Sequence, residues 1–375
     1  MPRVIIIGGG IGGLTAAVAF RRRGWGVAVY EAASEFKPVG KGIWVPPNAM
    51  QVLARLGLAD AVIHAGWPLD RIQLRTTAGA VLSIVDLDAV KAEFGHTIVS
   101  VHRAKLLELL AAGLPPDALH LGHRFNGFTE EPGRVVAHFE GGREASADLL
   151  VGADGLRSAV REQLFPGVPL RYSGQTCYRG VSMMDLPAEL SHTCWEVWGG
   201  RRRFGFSAIG PRQVYWFAPV TAPAGAVEGF RAEWYAGFPE PIQAIVAASH
   251  DLDTIQTDLY DFAPIPRWHA GRVVLLGDAA HAMTPNLGQG GAQAIEDAFV
   301  LAERVGGSEP LADALAGYEA VRRPKATWVV KTAWQLGKLS HWQSAPARWL
   351  RDRALRWTPG RMSRASTRRL YRLGY

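Results

Sequence analysis

The chain has 375 residues, of which 48% are hydrophobic and 20% are charged, and its formal net charge is +7. This length and balance are typical of a globular protein of two domains. The sequence has no apolar run of about eighteen residues and no signal-peptide pattern, so we expect neither a transmembrane helix nor secretion. The two cysteines, Cys177 and Cys194, cannot form a disulfide framework and favour the cytoplasm, and no Cys or His pair has the spacing of a metal site.

The N-terminal elements form a βαβ unit. Val4–Ile7 is predicted to be a strand, Leu14–Arg23 a helix, and Val27–Tyr30 a second strand. The whole unit takes about thirty residues, which is the usual length of such a crossover.

The first turn of this unit contains the sequence IIIGGGIGG, in which Gly8, Gly10 and Gly13 match G-x-G-x-x-G. The first glycine permits a tight turn, the second lets a pyrophosphate approach the backbone, and the third allows close packing of helix and strand. Glu31, at the end of the second strand, is placed to accept hydrogen bonds from a ribose, and its charge disfavours a ribose phosphate. The pattern predicts a dinucleotide and leaves NAD and FAD open.

The next elements mix helices and hairpins. Asn48 is predicted to cap a helix over Ala49–Leu56, and Arg71–Ile84 is predicted to be a hairpin. His102–Ala111 has the apolar periodicity of a helix, and Arg134–Phe139 begins a second hairpin that turns at two glycines.

The composition changes between about residues 175 and 260, where aromatic residues alternate and turns are frequent. This pattern predicts an antiparallel sheet, interrupted by a helix near Val227–Tyr235. A buried strand then returns at Arg272–Leu276, and a long helix is predicted from about Gln289 to Val305.

Two later segments resemble a known family. LLVGADGLRSAVR, over Leu149–Arg161, is similar to the Asp-Gly motif of single-component FAD-dependent aromatic hydroxylases, and GRVVLLGDAAHAMTPNLGQGG, over Gly271–Gly291, is similar to their Gly-Asp motif. That family includes para-hydroxybenzoate, salicylate and urate hydroxylases and zeaxanthin epoxidase. The resemblance implies the α/β fold class, with a Rossmann-like FAD-binding domain interrupted by a mostly antiparallel β-sheet substrate domain and followed by a C-terminal helical segment.

The domain boundaries follow from this resemblance and from the change in composition. We predict an FAD-binding domain made of residues 1–71, 97–174 and 262–345. The substrate domain comprises residues 72–96 and 175–261, and residues 346–375 form a basic helical segment.

The resemblance also implies roles for individual residues. Asp278 matches a family aspartate that accepts a hydrogen bond from the ribityl or ribose part of FAD, and Asp154 matches one near the pyrophosphate that also serves NAD(P)H binding. Arg103 matches an arginine that approaches FAD, and Arg161 carries a guanidinium that suits phosphate oxygens. The residues predicted to bind FAD are Gly8, Gly10, Gly12, Gly13, Glu31, Ala32, Lys41, Gly42, Arg103, Asp154, Asp278, Pro285, Gly288, Gln289, Gly290 and Gly291.

The implied reaction is a monooxygenation. In the family, NADH or NADPH binds transiently and reduces tightly bound FAD, dioxygen forms a flavin C4a-hydroperoxide, and an electron-rich aromatic or conjugated small molecule is hydroxylated or epoxidised. The catalytic group is then the flavin itself, supported by Pro285 and Gly288, whose following helix has an N-terminus that favours an anionic reduced flavin. We assign no general base.

Substrate contacts are expected on the inner face of the central sheet. Tyr215 and Phe217 share one face by the period of two, whereas Trp216 points the other way. The spacing of Arg203 and Tyr215 resembles an arrangement in urate hydroxylases, although a solvated turn at Arg203 and an ordinary sheet core for the aromatics remain open. The full set of substrate candidates is Tyr178, Arg179, Trp198, Arg203, Phe206, Tyr215 and Phe217.

One position departs from the family pattern. Lys41 stands where relatives commonly have a small residue beside the flavin. Either the side chain extends to solvent, or its ammonium group approaches the flavin edge or an anionic substrate.

The C-terminal segment carries the positive charge. Residues 346–375 contain nine arginines and one acid, Asp352, so the remainder of the chain is close to neutral and nucleic acid is not expected as a partner. One interpretation is a closing helix whose stripe of Trp349, Leu350, Ala354 and Trp357 packs on the body. The alternative is a basic amphipathic helix in peripheral contact with an acidic membrane.

Two other functions share this scaffold. A flavin halogenase would carry W-x-W-x-I-P, which is absent, because the two tryptophans of WEVWGG have a different spacing. A non-catalytic binding protein, as in Rab GDP-dissociation inhibitors, would not need the intact Gly-Asp segment. The sequence does not indicate the oligomeric state.

Overall fold

The computed structural model describes residues 1–35, 41–226, 229–249, 254–357 and 360–375, without the side chains of residues 360–363. The predicted helix near Val227–Tyr235 therefore lies partly outside the described residues, and its described part contains a 3-10 helix over Ala232–Tyr235. Other 3-10 helices cover Pro116–Ala118, Ala188–Leu190 and Pro285–Leu287.

The strands are short, except for one long central strand. They are β1 (Arg3–Ile7), β2 (Gly26–Tyr30), β3 (Gly42–Val45), β4 (Trp67–Leu69), β5 (Arg71–Thr76), β6 (Val81–Asp86), β7 (Ile98–His102), β8 (Leu119–His120), β9 (Phe125–Glu131), β10 (Arg134–Phe139), β11 (Arg143–Ala147), β12 (Leu149–Gly152), β13 (Leu170–Met183), β14 (Thr193–Trp198), β15 (Arg203–Gly210), β16 (Gln213–Thr221), β17 (Ile255–Phe262), β18 (His269–Ala270) and β19 (Val273–Leu275).

The helices concentrate toward the two ends of the chain. They are α1 (Ile11–Arg22), α2 (Pro47–Arg55), α3 (Ala59–Ala65), α4 (Leu87–Phe94), α5 (Arg103–Ala112), α6 (Ala159–Leu164), α7 (Glu240–Ala247), α8 (Asp278–His281), α9 (Gly290–Val305), α10 (Leu311–Ser340), α11 (Ala345–Arg356) and α12 (Gly360–Tyr371).

A six-stranded sheet carries the N-terminal βαβ unit. Its order is β18-β19-β12-β1-β2-β8, and all its neighbours pair in parallel except β18 and β19. The buried runs Val4–Ile7 and Leu149–Val151 suit a sheet that is covered on both faces. The predicted strand–helix–strand unit is confirmed, with the helix beginning earlier than predicted, at Ile11.

A seven-stranded sheet, here called the aromatic sheet, has the order β17-β13-β16-β15-β14-β5-β6. Its neighbours are antiparallel except for β14 and β5, so the N-terminal hairpin of β5 and β6 joins the central strands. One face is covered by a cluster that includes Phe204, Phe206, Trp216 and Tyr235. The α/β fold class is confirmed, and the exact domain boundaries stay a prediction.

Two three-stranded sheets complete the fold. β11-β10-β9 lies beside the six-stranded sheet, and β3-β7-β4 packs against β15 of the aromatic sheet. The hydroxyl of Ser207 on β15 accepts a hydrogen bond from Trp44 Nε1 at 3.0 Å and is 2.8 Å from the hydroxyl of Ser100. These bonds hold β3 and β7 against the face of the aromatic sheet that is opposite the aromatic cluster.

Two predictions about helices are wrong. Asn48 is not a helix cap, because α2 begins at Pro47 and the Asn48 side chain is buried and donates to Gln289 Oε1 at 3.0 Å. The apolar stripe of α11 does not pack on the body, because Trp349, Leu350 and Ala354 are exposed, as is the adjoining Trp357. Propensity and periodicity cannot show which side of a helix meets the rest of the molecule.

None of the helices in the described ranges combines the length and the apolar composition that a membrane span requires.

Candidate active site

The loop Gly8–Gly13, here called the glycine loop, has two kinds of glycine. Gly8 has φ +108°, and a Cβ on Gly13 would lie 2.0 Å from the Gly8 carbonyl oxygen, so both are required by the tight turn into α1. At Gly10, by contrast, no described atom lies within 4 Å of an added Cβ. Gly10 therefore leaves open space at the N-terminus of α1, where backbone amides favour an anion.

Glu31 lies across the tip of the glycine loop. Its carboxylate accepts hydrogen bonds from the backbone N–H groups of Gly9 at 2.7 Å and Ala33 at 2.9 Å. The side chain is only half-buried and the neighbouring Ala32 is exposed. The carboxylate is thus held at the edge of the sheet and remains accessible to a ribose hydroxyl.

Asp278 begins α8 directly after β19, at the carboxyl edge of the six-stranded sheet. The carboxylate is open to solvent through a cleft, yet protein surrounds it closely, and this burial raises its pKa above the usual value while the charges of His281 and Arg103 lower it. A Cβ on Gly290 would lie 3.8 Å from Asp278 Oδ1, so the start of α9 adjoins the carboxylate.

Arg103, at the start of α5, faces the same cleft. The residue is exposed, and its charge lowers the pKa of both Asp278 and Tyr215. Its N–H donates to the Lys41 carbonyl at 3.0 Å. Lys41 is half-buried, and after the effect of burial its charge is a further cause of the lowered pKa of His102. The structure thus places Lys41 at the edge of the cleft, and its role stays a prediction.

The segment Pro285–Gly291, here called the flavin loop, closes the cleft on one side. It consists of a 3-10 helix, Gly288 at φ +61°, and the first turn of α9. A Cβ on Gly288 would lie 3.5 Å from the ring of Trp44, and one on Gly291 would lie 3.2 Å from Ile43 Cδ1. The loop therefore runs close to β3, with the positive end of the α9 dipole directed to the cleft.

Gln289 differs from its glycine neighbours. Its side chain is buried and its Oε1 accepts hydrogen bonds from Asn48 at 3.0 Å and Gln293 at 2.9 Å. The side chain thus points into the protein, and only the main chain of Gln289 is left to face a cofactor.

Behind the flavin loop lies a buried ionic cluster that sequence reasoning missed. Arg322 of α10 donates to Asp297 Oδ1 at 2.8 Å and to Glu296 Oε2 at 2.7 Å. Asp297 Oδ2 also lies 2.5 Å from His281 Nε2. Burial alone would raise the pKa of Asp297, but His281 and Arg322 hold it at about 2. Adjacent acids in the otherwise apolar AIEDAF of α9 were the available signal.

The Asp-Gly motif lies at the start of α6. The Asp154 carboxylate accepts hydrogen bonds from the Ser158 hydroxyl at 2.5 Å and the Ala159 N–H at 2.8 Å, and burial raises its pKa. Ser158 caps α6 by accepting from the Arg161 N–H at 2.9 Å. The prediction that Arg161 suits phosphate oxygens is wrong, because its guanidinium is buried and donates to the carbonyls of Leu156 and Ala279.

Five of the seven substrate candidates lie on the face of the aromatic sheet opposite the aromatic cluster, and three of these face the cleft; the five are Arg179, Trp198, Arg203, Tyr215 and Phe217. In the strand register Arg179 lies opposite Phe217, and Tyr215 lies opposite Ser207, which contacts Trp44. The Phe217 ring lies 5.7 Å from the ring of Trp44. Arg179, Tyr215 and Phe217 therefore lie on the side of the aromatic sheet that faces β3.

Tyr215 is the most constrained of these residues. A Cβ on Gly42 would lie 2.2 Å from Tyr215 Cγ, so only glycine at position 42 allows the ring its place. Burial raises the pKa of Tyr215 to about 12, against an opposing effect of the adjacent Arg179 charge. The phenol therefore stays protonated at physiological pH and can donate a hydrogen bond.

Arg203 is on the same face, and its guanidinium is bound by protein groups. It is buried, and it donates to Glu196 Oε1 at 3.0 Å, Asn286 Oδ1 at 2.6 Å and His341 Nε2 at 3.0 Å. Asn286 belongs to the flavin loop and His341 follows α10. Arg203 thus connects the aromatic sheet to both and is not a solvated turn, and its contact with a substrate stays a prediction.

The structure places the other three substrate candidates away from the cleft. Tyr178 and Phe206 lie on the opposite face, packed in the aromatic cluster, because each alternates with a residue that faces the cleft. Trp198 is buried beneath α11, where the Arg351 guanidinium lies 5.3 Å from its ring centre and Glu196 accepts its N–H. We leave these three out of the substrate site.

A separate open cavity of about 830 Å³ lies between β9, β10 and α6. Ser158 and Arg161 contribute to its lining, but residues of the glycine loop, Asp278 and the flavin loop do not. We assign no ligand to it.

The cleft fits a flavin dinucleotide. The open space at Gly10 and the α1 N-terminus would accept a pyrophosphate, Glu31 and Asp278 offer acceptors for sugar hydroxyls, and the flavin loop with Trp44 offers a flat wall. On the opposite side of the cleft, the aromatic sheet presents the protonated phenol of Tyr215 and the guanidinium of Arg179. This arrangement defines a flavin-dependent enzyme that acts on a small molecule.

Comparison with known proteins identifies the family. Residues 1–333 match the model of the family described as FAD binding domain, and the chain belongs to that family. An aurachin C monooxygenase/isomerase from Stigmatella aurantiaca is 40% identical over 371 residues, covering 98% of this chain and 97% of that protein. A 2-heptyl-3-hydroxy-4(1H)-quinolone synthase from Pseudomonas aeruginosa is 35% identical over 378 residues, covering 98% and 96%.

A solved structure shows the same fold with its ligands. HpxO from Klebsiella pneumoniae, crystallised with FAD and uric acid, matches with a TM-score of 0.90 and 31% identity over 98% of this chain and 95% of that chain. The chain is therefore an FAD-dependent monooxygenase of the aromatic hydroxylase class, an oxidoreductase for which NAD(P)H is the typical reductant. The halogenase and non-catalytic alternatives are not favoured by any of these relatives.

Proposed function

We propose that this enzyme uses NAD(P)H and dioxygen to insert one oxygen atom into a bicyclic heteroaromatic substrate of the 4-quinolone type. The observation that carries this proposal is the pairing of an aromatic wall with two polar groups on one side of the cleft. Trp44 and Phe217, whose rings are in edge-to-face contact, provide the wall, and Tyr215 and Arg179 provide hydrogen-bond donors.

The relatives support the same class of substrate. One of them is named for making a 4(1H)-quinolone with a 3-hydroxyl group and a heptyl chain. HpxO was crystallised with uric acid, which is also a bicyclic ring with carbonyl groups. A flat ring packed against this aromatic wall, with its carbonyl oxygen accepting from a phenol or guanidinium, suits both compounds.

The chain's own residues hold the cofactor and control the cleft. FAD, when bound, supplies the oxygen-activating chemistry. Gly10 and the α1 amides bind the pyrophosphate, and Glu31 and Asp278 bind the sugar hydroxyls. The N-terminal dipole of α9 stabilises negative charge beside the flavin loop without reorganisation.

The residues on the substrate side of the cleft orient the substrate and exclude water. The Tyr215 hydroxyl stays protonated and donates to the substrate carbonyl, while Arg179 favours negative charge on that oxygen. Phe217 and Trp44 exclude water, which protects reactive species from side reactions. Arg203 acts through Asn286, by holding the flavin loop in place.

We further propose that the enzyme works in the cytoplasm and makes peripheral contact with membranes through its C-terminal segment. The two free, buried cysteines agree with a reducing compartment. Exposed tryptophans and arginines on α11 agree with a membrane contact.

A substrate screen tests the proposed reaction. The purified holoenzyme is offered phenols, 4-quinolones, purines and isoprenoid rings, and NAD(P)H oxidation and product mass are both measured. We expect 4-quinolones to stimulate NAD(P)H oxidation and to gain the mass of one oxygen atom. Stimulation without an oxygenated product, or turnover confined to another class, would contradict the proposed substrate.

A further inference from the structure

The exposed apolar side chains of this protein are unevenly distributed. In the described part of the chain eight large hydrophobic side chains are exposed, and four of them lie within residues 342–357: Trp342, Trp349, Leu350 and Trp357. Trp349 is 60% exposed and Trp357 is 69% exposed. Tryptophan is rarely left in water at this density unless the surface binds something.

Helix α11 is anchored in the orientation that exposes these residues. Its inward side contains Arg351, which is only 2% exposed, donates to the Ser340 carbonyl at 3.2 Å and lies over the ring of Trp198. The helix also packs on β6. Burying an arginine while exposing tryptophans is the reverse of ordinary surface helices, and the buried contacts keep the helix from rotating to hide them.

Cationic side chains lie on the same outward side. The Arg353 guanidinium lies 4.9 Å from the ring centre of Trp349 and 4.3 Å from that of Trp357, one helical turn away in each direction. Arg356 is also exposed. We call Trp349, Leu350, Arg353, Arg356 and Trp357 together the docking face.

We propose that the docking face binds the anionic phospholipid surface of a bilayer, an inference that rests on the peripheral membrane contact proposed above and names the lipid and the residues that meet it. Tryptophan and leucine partition into the headgroup region, and arginine pairs with lipid phosphates, which is the composition of helices that lie in the membrane interface. The nine arginines and single acid of residues 346–375 add attraction to the anionic surface.

A second copy of this chain is a poorer occupant of the same face. In a symmetric dimer the docking face would meet itself, and Arg353 and Arg356 of one copy would oppose those of the other. Such a contact would remove cations from water without a matching anion, which is costly. A membrane supplies the anions that a second copy lacks.

Docking would orient the molecule. The inward side of α11 contacts Trp198, and an added Cβ on Gly200 would lie 3.6 Å from the Arg348 guanidinium, so the helix covers the edge of the aromatic sheet at the β14–β15 turn. The bilayer would therefore adjoin the aromatic sheet rather than the six-stranded sheet.

Vesicle flotation with the holoenzyme tests the proposal. We expect binding to vesicles of phosphatidylcholine with phosphatidylglycerol, little binding to phosphatidylcholine alone, and weaker binding at high salt. The double variant Trp349→Ala/Trp357→Ala should reduce the bound fraction about tenfold or more, because two interfacial anchors are lost. Arg353→Gln/Arg356→Gln should weaken the preference for phosphatidylglycerol, because two of the nine arginines are lost from the surface that meets the lipid.

The matched control is Met183→Ala, which removes an apolar side chain that is 60% exposed far from α11 in sequence, on β13. It should bind vesicles as the wild type does, and all variants should retain bound FAD and NAD(P)H-dependent turnover of a water-soluble substrate. No vesicle binding by the wild type, or equal binding by the tryptophan variant, would overturn the proposal. So would a wild-type dimer that the tryptophan substitutions convert to a monomer.

Discussion

Gly10 and Gly13 lie in the same loop, but the space around their Cα atoms differs. An added Cβ at Gly13 would collide with the Gly8 carbonyl, so this glycine is needed for the fold of the polypeptide itself. Gly10 has an ordinary φ of −78° and open space beside it, so the polypeptide alone gives no reason for glycine there. Open space at the start of α1 agrees with the proposal that a ligand approaches the backbone at Gly10.

The substitution Gly10→Ala tests this proposal. We expect the apoprotein to fold normally, with affinity for FAD lowered about tenfold or more because the methyl group occupies the space of the pyrophosphate. Gly237→Ala is the matched control, since there too no described atom lies within 4 Å of the added Cβ. FAD titration followed by fluorescence measures both, and equal affinities in the two variants would contradict the assignment.

Tyr215 and Tyr178 provide a second paired test at the scale of single residues. Tyr215→Phe removes the protonated phenol that faces the cleft, so we expect KM for the substrate to rise roughly 5- to 100-fold with FAD binding unchanged. Tyr178→Phe alters a ring on the covered face and should leave KM within about twofold. Steady-state kinetics distinguish them, and a larger effect at Tyr178 would show that the wrong face was chosen.

These residues also show which side-chain positions the sequence could predict and which it could not. The alternation of Tyr215, Trp216 and Phe217 correctly predicts which of them share a face. It cannot relate that face to Tyr178 and Arg179, because the register between β13 and β16 is set by pairing across a long stretch of chain. Arg179, and not Tyr178, lies opposite Phe217, and one residue of register exchanges the two sides.

At the scale of elements, α9 has two functions. Its N-terminus belongs to the flavin loop, and its next turns carry Glu296 and Asp297, which bind Arg322 of α10 and His281 of α8. The sequence predicted the helix and its glycine-rich start, because these depend on local signals. The ionic cluster was not predictable, because its partners lie far apart in sequence and only packing brings them together.

Asp297→Asn should lower the free energy of unfolding by about 3–5 kcal/mol, because Arg322 and His281 lose a buried anion. The exposed pair of Glu303 with Arg23 is the control, and Glu303→Gln should cost less than about 1 kcal/mol. Denaturant unfolding near pH 7 measures both. Since Asp297 has its pKa lowered to about 2, its stabilising effect is present above its usual pKa of 3.8 and is lost as the pH falls toward 2. Equal costs in the two variants would contradict the role of the cluster.

At the scale of the whole molecule, one set of bonds joins the parts that form the cleft. Arg203 of the aromatic sheet donates to Asn286 of the flavin loop and to His341 after α10, and His341 Nδ1 lies 2.8 Å from the Thr221 hydroxyl. The three sequence motifs correctly predicted an FAD-binding domain. They carried no information on this connection, which joins residues that are distant in the chain.

His341 makes this connection sensitive to pH. Burial, together with the charges of Arg203 and Arg351, lowers its pKa to about 2, so the folded protein keeps it neutral. The unfolded chain protonates it below its usual pKa of 6.5, so its contribution to stability is complete above that pH and is lost as the pH falls. We expect a loss from this group that begins near pH 6.5 and steepens toward about 1.4 kcal/mol per pH unit as the pH falls to 5.

His341→Gln tests this linkage, because the amide can still accept from Arg203 and donate to Thr221 but cannot titrate. Denaturant unfolding across that pH range should show a shallower decline for the variant than for the wild type. Identical slopes would mean that His341 titrates alike in the folded and unfolded states.

The central claim is that the cleft between the aromatic sheet and the flavin loop is the site of a monooxygenation. Turnover of a 4-quinolone with NAD(P)H under isotopically labelled dioxygen tests it most directly, with product mass as the measurement. We expect one labelled oxygen atom in each product molecule, with the yield reduced in Tyr215→Phe. Label derived from water, or NAD(P)H oxidation that yields only hydrogen peroxide with every aromatic compound offered, would contradict it.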